Sequence, residues 1–158
     1  MKIDHSPTGK GPPCDHNKNH RGKRRLVESD RLYAGMIVSL DESVGRILDY
    51  LDEHGMADDT LIFFTSDNGG LATAEGSPTC NAPLAEGKGW MYEGGTREPL
   101  MVRWPGHIEA GSTCSVPVTS PDFYPTLLEM AGLDPIPQQH CDGVSIAPLL
   151  HGKSSLER

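Results

Sequence analysis

Thr60-Leu61-Ile62-Phe63-Phe64-Thr65-Ser66-Asp67-Asn68-Gly69-Gly70 is the stretch that decides how this chain folds. Its first six residues are apolar or β-branched almost throughout, which predicts a strand buried on both faces, as in a parallel sheet. The last five are turn formers, and Asp58-Asp59 just upstream is another turn. Before that, Leu32, Met36, Ile37, Leu40, Val44, Ile47, Leu48 and Leu51 recur at three- and four-residue steps. The spacing predicts one apolar face of a helix about 25 residues long, beginning near Glu28. Gly55 is a natural stop for it, and Asp41, Glu42, Arg46, Asp49 and Asp52 supply its solvated face. A helix followed by a buried strand predicts an α/β layer architecture. In such sheets ligands gather at the carboxyl ends of strands, so Asp67 and Asn68 fall where α/β proteins do chemistry.

Downstream, residues 71–98 read as a long irregular loop holding Gly87-Lys88-Gly89 and Glu93-Gly94-Gly95-Thr96-Arg97. A loop of that length is commonly functional. Pro99-Leu100-Met101-Val102-Arg103-Trp104 predicts a second strand, closed by Pro105-Gly106. Asp122 to Ala131 predicts a short helix with Pro125 near its start and Gly132 after it. Residues 142–152 read as a turn with one helical turn, and residues 6–24, rich in Gly, Pro, Asn, Lys and His, as loop.

The 158 residues include 18 Gly and 13 Pro, which predicts many turns. No apolar run reaches the roughly 18–20 residues of a membrane span, and the start carries no apolar leader segment. The net charge of −8 divides into +5 over residues 1–25 and −13 over the rest. An acidic body argues against a nucleic-acid-binding surface, which would be basic over a broad face. Cys14, Cys80, Cys114 and Cys141 are widely spaced with no C-x-x-C, so they read as free thiols rather than a zinc or redox motif.

Asp67 and Asn68 both offer oxygen, the donor type that Ca²⁺ and Mg²⁺ prefer. Lys88 stands between two glycines, where an anion could approach a point charge. Glu93 and Arg97 can pair across Gly94-Gly95 and hold that loop in shape. His5, before Ser6-Pro7, reads as a solvated loop histidine, and Cys14, His16 and His20 lack the helix that would align them on a metal.

Taken in order, "YAGMIVSLDESVGRILDYLDEHGMADDTLIFFTSDNGG", "NAPLAEGKGWMYEGGTREPLMVRWPGHI", "SPDFYPTLLEMAGL" and "DGVSIAPLLHGK" resemble the sulfatase family, from about Tyr33 to Lys153. The most specific part is G-K-G-x-x-x-E-G-G-x-R-x-P. The resemblance implies an α/β, alkaline-phosphatase-like sulfatase fold and hydrolysis of a sulfate ester. It implies Asp67 and Asn68 as the second pair of Ca²⁺ ligands, and Lys88 and His5 as contacts to the sulfate. Glu93, Gly94, Gly95 and Arg97 match the loop-shaping motif. The implied partner is a sulfated small molecule or polysaccharide, with export to the periplasm or outside the cell common in the family.

The family's nucleophile is a formylglycine hydrate made from Cys or Ser in C/S-x-P-x-R, and no such motif occurs here. Ser115-Val116-Pro117-Val118-Thr119 comes nearest, with Thr in place of Arg and a position after the metal pair. The family's early Asp-Asp pair, its first Ca²⁺ ligands, is also absent. The expectation is therefore an incomplete fold lacking N-terminal strands. Residues 1–27 would be a loop-rich head and 28–158 the C-terminal portion of a catalytic domain. Such a chain would be inactive until joined by the missing N-terminal half. The alternatives are an inactive remnant or anion-binding module, and a relative acting on phosphate esters or phosphonates. The Lys88 and Glu93–Arg97 motifs favour a sulfatase over the last.

Overall fold

The computed structural model of the chain describes residues 27–73, 77–139 and 142–157. The elements run α1 (Arg31–Glu53), β1 (Ile62–Thr65), α2 (Glu93–Thr96), β2 (Leu100–Arg103), a 3₁₀ turn (Ser120–Asp122), α3 (Phe123–Met130) and α4 (Ala147–Leu150). The chain divides into two compact units. One holds the described residues up to Ala57 together with Ile62–Val102, and the other Asp58–Leu61 together with the chain from Arg103 onward.

In the first unit, α1 starts at the N-cap Asp30, whose carboxylate accepts from the amides of Leu32 (3.0 Å) and Tyr33 (2.9 Å). Its end is a Schellman motif. Gly55 adopts φ +66°, its amide reaches Asp52 O (3.2 Å), and the Met56 amide reaches Leu51 O (2.8 Å). The predicted periodicity is present, but no residue of α1 is buried, and Leu32 is 83% exposed and Ile47 60%. β1 and β2 form a two-stranded sheet.

Two expectations are corrected here. The run Thr60–Thr65 was expected to be buried on both faces; β1 is half-buried at Ile62 and Phe63 and exposed at Phe64 and Thr65. Among the described residues β1 has one neighbour, and a two-stranded ribbon cannot cover both of its own faces. Residues 71–98 are not wholly irregular either, since Glu93–Thr96 closes one helical turn.

The second unit is built around Asp122, which is fully buried. One carboxylate oxygen accepts from the amide (2.7 Å) and hydroxyl (3.2 Å) of Thr119, and the other from the amide of Val144 (3.0 Å). The Thr126 hydroxyl donates to the Asp122 carbonyl and accepts from the Ile146 amide (2.9 Å). One short helix end thereby holds the start of the segment that becomes α4, and Ile146, Ala147 and Leu149 complete the buried cluster. Both α3 and α4 end as α1 does, with Gly132 (φ +66°) and Gly152 (φ +84°) in the left-handed region. In the same unit Trp104 donates its indole N–H to Asp58 O (2.8 Å) and stacks on His107.

Candidate active site

The site lies in the first unit, where three backbone segments close on one another. β1 ends at Thr65, and the chain bends through Asp67 and Asn68 into Gly69 and Gly70. The Thr65 hydroxyl donates to Pro99 O (2.9 Å), fixing the end of β1 against the entry to β2. The Gly69 amide donates to Gly95 O (3.2 Å), and the Gly94 amide to Ala85 O (2.8 Å). Such contacts need bare backbone. A Cβ on Gly69 would overlap the Gly94 carbonyl oxygen, and one on Gly87 would overlap Gly70 O. Glycine is used here because no side chain fits between the segments.

Lys88 arrives by the same packing. Its amide donates to Gly70 O (3.1 Å), so the lysine loop is hydrogen-bonded to the turn that carries Asp67 and Asn68. Lys88 itself is exposed. Trp90 steadies the loop further, its indole N–H donating to Thr73 Oγ1 (2.9 Å). Glu93 and Arg97 pair at 3.3 Å as the sequence suggested, with both side chains more than 60% exposed. An exposed pair contributes only about 0–1 kcal/mol, so the buried Gly94 and Gly95 matter more to the loop's shape. His5 lies outside the described residues, as do Cys14, His16 and His20.

Sequence reasoning missed two residues here. Asn81 accepts from the Gly70 amide (3.2 Å) and donates to Gly70 O (2.8 Å) and Glu86 O (2.9 Å). Glu98 has one carboxylate oxygen sealed from solvent with no hydrogen-bond partner. Its carboxyl is held above the ordinary Glu range, first by burial and then by the negative charge of Asp67. The signals were slight: Asn81 opens one of the blocks that resemble the family but carries no role there, and Glu98 is one acid in an acidic chain.

An unpartnered, shielded carboxylate oxygen beside a second carboxylate is a local deficit of positive charge. Asp67, Asn68 and Glu98 offer hard oxygens, the donor type that suits a divalent cation such as Ca²⁺. They are too few to make a whole site. Among the described residues no group of three or more His, Cys, Asp or Glu is placed to hold a metal.

The chain belongs to the sulfatase family, whose family model matches residues 5–133. Among individual relatives, it is 39% identical to N-acetylgalactosamine-6-sulfatase of Homo sapiens over 77% of this chain and 24% of that one. It is 37% identical to arylsulfatase A of Homo sapiens over 80% of this chain and 24% of that one. A sulfatase of Formosa agariphila is 38% identical over 92% of this chain and 28% of its own length. Among solved structures, Ps i-CgsB in complex with k-i-k-neocarrahexaose superposes with TM-score 0.69 at 39% identity, over 75% of this chain and 26% of that one. Another, solved with its substrate D-glucosamine-2-N,6-O-disulfate, gives TM-score 0.61 at 34% identity over 75% and 22%. The fold is therefore the alkaline-phosphatase-like sulfatase fold, present in part. The chain spans about a quarter of the length of the curated relatives it matches.

Proposed function

We propose that this chain is the C-terminal portion of a sulfatase catalytic domain, residues 1–27 forming its head and 28–158 its core. Completed by an N-terminal portion, it would hydrolyse a sulfate monoester with the help of Ca²⁺; alone it would be inactive. The observation that carries the reading is the Lys88 amide bond to Gly70 O (3.1 Å), which ties the lysine loop to the Asp67–Asn68 turn. The exposed apolar face of α1 supports it, since a sulfatase layer would cover that face with strands from the N-terminal portion.

In this reading Asp67 and Asn68 hold one side of the cation, with Glu98 adding negative charge behind Asp67. Bound there, Ca²⁺ would polarise a sulfate oxygen as a Lewis acid. Lys88 neutralises a second oxygen, more strongly as negative charge moves toward the leaving alcohol. His5 is assigned a contact to sulfate or to the leaving oxygen, a role open to an imidazole as hydrogen-bond donor or general acid. The D-glucosamine-2-N,6-O-disulfate bound by one structural relative makes a sulfated sugar a natural first substrate to try.

Co-expression with an N-terminal sulfatase portion carrying C/S-x-P-x-R tests this. Aryl sulfate turnover should appear, and Lys88→Ala should lower kcat/KM by about 10²–10³, the usual cost of removing one transition-state charge contact. Unchanged turnover in Lys88→Ala would overturn the assignment, and no turnover in the pair would favour the anion-binding module. Calcium titration of the chain alone should give a dissociation constant weaker than about 1 μM, because two or three oxygens fall short of the six to eight that Ca²⁺ takes. Micromolar or tighter binding by calorimetry would contradict the half-site.

A further inference from the structure

Asn81 opens one of the blocks that carried the family resemblance but lies outside G-K-G-x-x-x-E-G-G-x-R-x-P and was given no role there, yet its side chain links the site's two halves. Its Oδ1 accepts from the Gly70 amide at 3.2 Å, and its Nδ2 donates to Gly70 O at 2.8 Å and Glu86 O at 2.9 Å. Three backbone partners of matching polarity fix which way the amide points, because a flip would set N–H against N–H and O against O. Gly70 is the residue after the Asp67-Asn68-Gly69 turn, and Glu86 lies two residues before Lys88. The Gly70 carbonyl that receives Asn81 Nδ2 also receives the Lys88 amide at 3.1 Å. One side-chain amide thus clamps both strands of the junction at the point where they meet.

The surrounding glycines give an independent sign of the same fit. A Cβ at Gly87 would come within 2.6 Å of Asn81 Nδ2, and one at Gly70 within 3.0 Å of Asn81 Oδ1. Both backbones approach the Asn81 amide closely enough to exclude any side chain of their own. Asn81 is itself anchored from the N-terminal side. The Glu28 carboxylate accepts from the Cys80 amide and the Thr79 hydroxyl, both at 2.6 Å, which fixes the residues just before it.

We propose that Asn81 is a positioning residue that sets the register between the Asp67–Asn68 pair and Lys88. This deepens the sulfatase reading and rests on it for the roles of those three residues. The geometry of the clamp stands without it. An Asn is required rather than an Asp, because the junction presents one amide hydrogen and two carbonyl oxygens. A carboxylate could accept from the Gly70 amide, but its other oxygen would face the Gly70 and Glu86 carbonyls.

Amide hydrogen exchange on the 158-residue chain, read residue by residue for Asn81→Ala and Asn81→Asp, tests the proposal. In Asn81→Ala the Gly70 and Lys88 amides should both exchange about tenfold faster or more, while α1 and β1 keep their wild-type rates. In Asn81→Asp the two should separate, with the Gly70 amide staying protected and the Lys88 amide speeding up. A residue that only stabilises the unit would move all its amides together in both variants, and that result would overturn the proposal. So would wild-type exchange at Lys88 in Asn81→Ala. No ligand enters this measurement, so it fails or succeeds apart from the sulfate role of Lys88, which the turnover of Lys88→Ala decides.

Discussion

Purified by itself, the chain should release no alcohol from an aryl sulfate above the rate in buffer. Hydrolysis through a covalent intermediate needs an activated nucleophile. None of Cys14, Cys80, Cys114 or Cys141 is followed two residues later by Pro, and Ser115-Val116-Pro117-Val118-Thr119 ends in Thr where the motif needs Arg. Where a covalent nucleophile is removed from a working enzyme, the loss in kcat is about 10⁶-fold. Lys88 and one side of a cation site can bind and polarise, but they cannot open a sulfur–oxygen bond without an attacking atom. A fluorogenic sulfate assay over a long incubation checks this. Saturable turnover that disappears in Lys88→Ala would show that the chain carries its own nucleophile.

The other large effect is expected at Asp122, far from any proposed chemistry in the sequence. Asp122→Ala would strand the Thr119 amide, the Thr119 hydroxyl and the Val144 amide, all of which now end on its carboxylate. A buried donor left without an acceptor costs about 1–3 kcal/mol. The total should be about 3–5 kcal/mol, enough to unfold the second unit of a marginally stable chain. Asp122→Asn should be little better, because its NH₂ must point at one of the same donors. Urea unfolding followed by circular dichroism reads the change. A loss below about 1 kcal/mol in Asp122→Ala would mean that water or a neighbour replaces the carboxylate.

Asp122 also shows where a sequence stops being legible. Placed before Phe123-Tyr124-Pro125, it reads as the start of a helix, yet its side chain caps nothing in α3 and instead accepts from Thr119 as the last residue of the 3₁₀ turn. Its bond to Val144, 22 residues on, leaves no local trace. The helices fared better because periodicity and stop glycines are local signals. α1 falls within the predicted span, and Gly55 and Gly132 end their helices in the left-handed conformation predicted for stops. The Asp67-Asn68 turn after a strand was legible for the same reason.

Burial was misjudged because it belongs to the neighbours of a strand and not to the strand. Ile62-Phe63-Phe64 is apolar enough for a central position, yet among the described residues only β2 pairs with it. At the site, the sequence supplied Asp67, Asn68 and Lys88 through motif resemblance but not the device that joins them. The crowding of glycines at 69, 70, 87, 94 and 95 was the available sign. Backbones that approach so closely bring carbonyl groups that need a donor, and Asn81 is the polar side chain between those segments.

If this chain is the C-terminal portion of a sulfatase, as proposed, its nucleophile is encoded before it. Sequencing the several hundred nucleotides upstream of the Met1 codon tests it most directly. The expected result is an in-frame C/S-x-P-x-R, preceded by an Asp-Asp pair on an early strand. A frame that is closed, or open with neither motif, would contradict it and leave Asp67, Asn68 and Lys88 as inherited features of an anion-binding remnant.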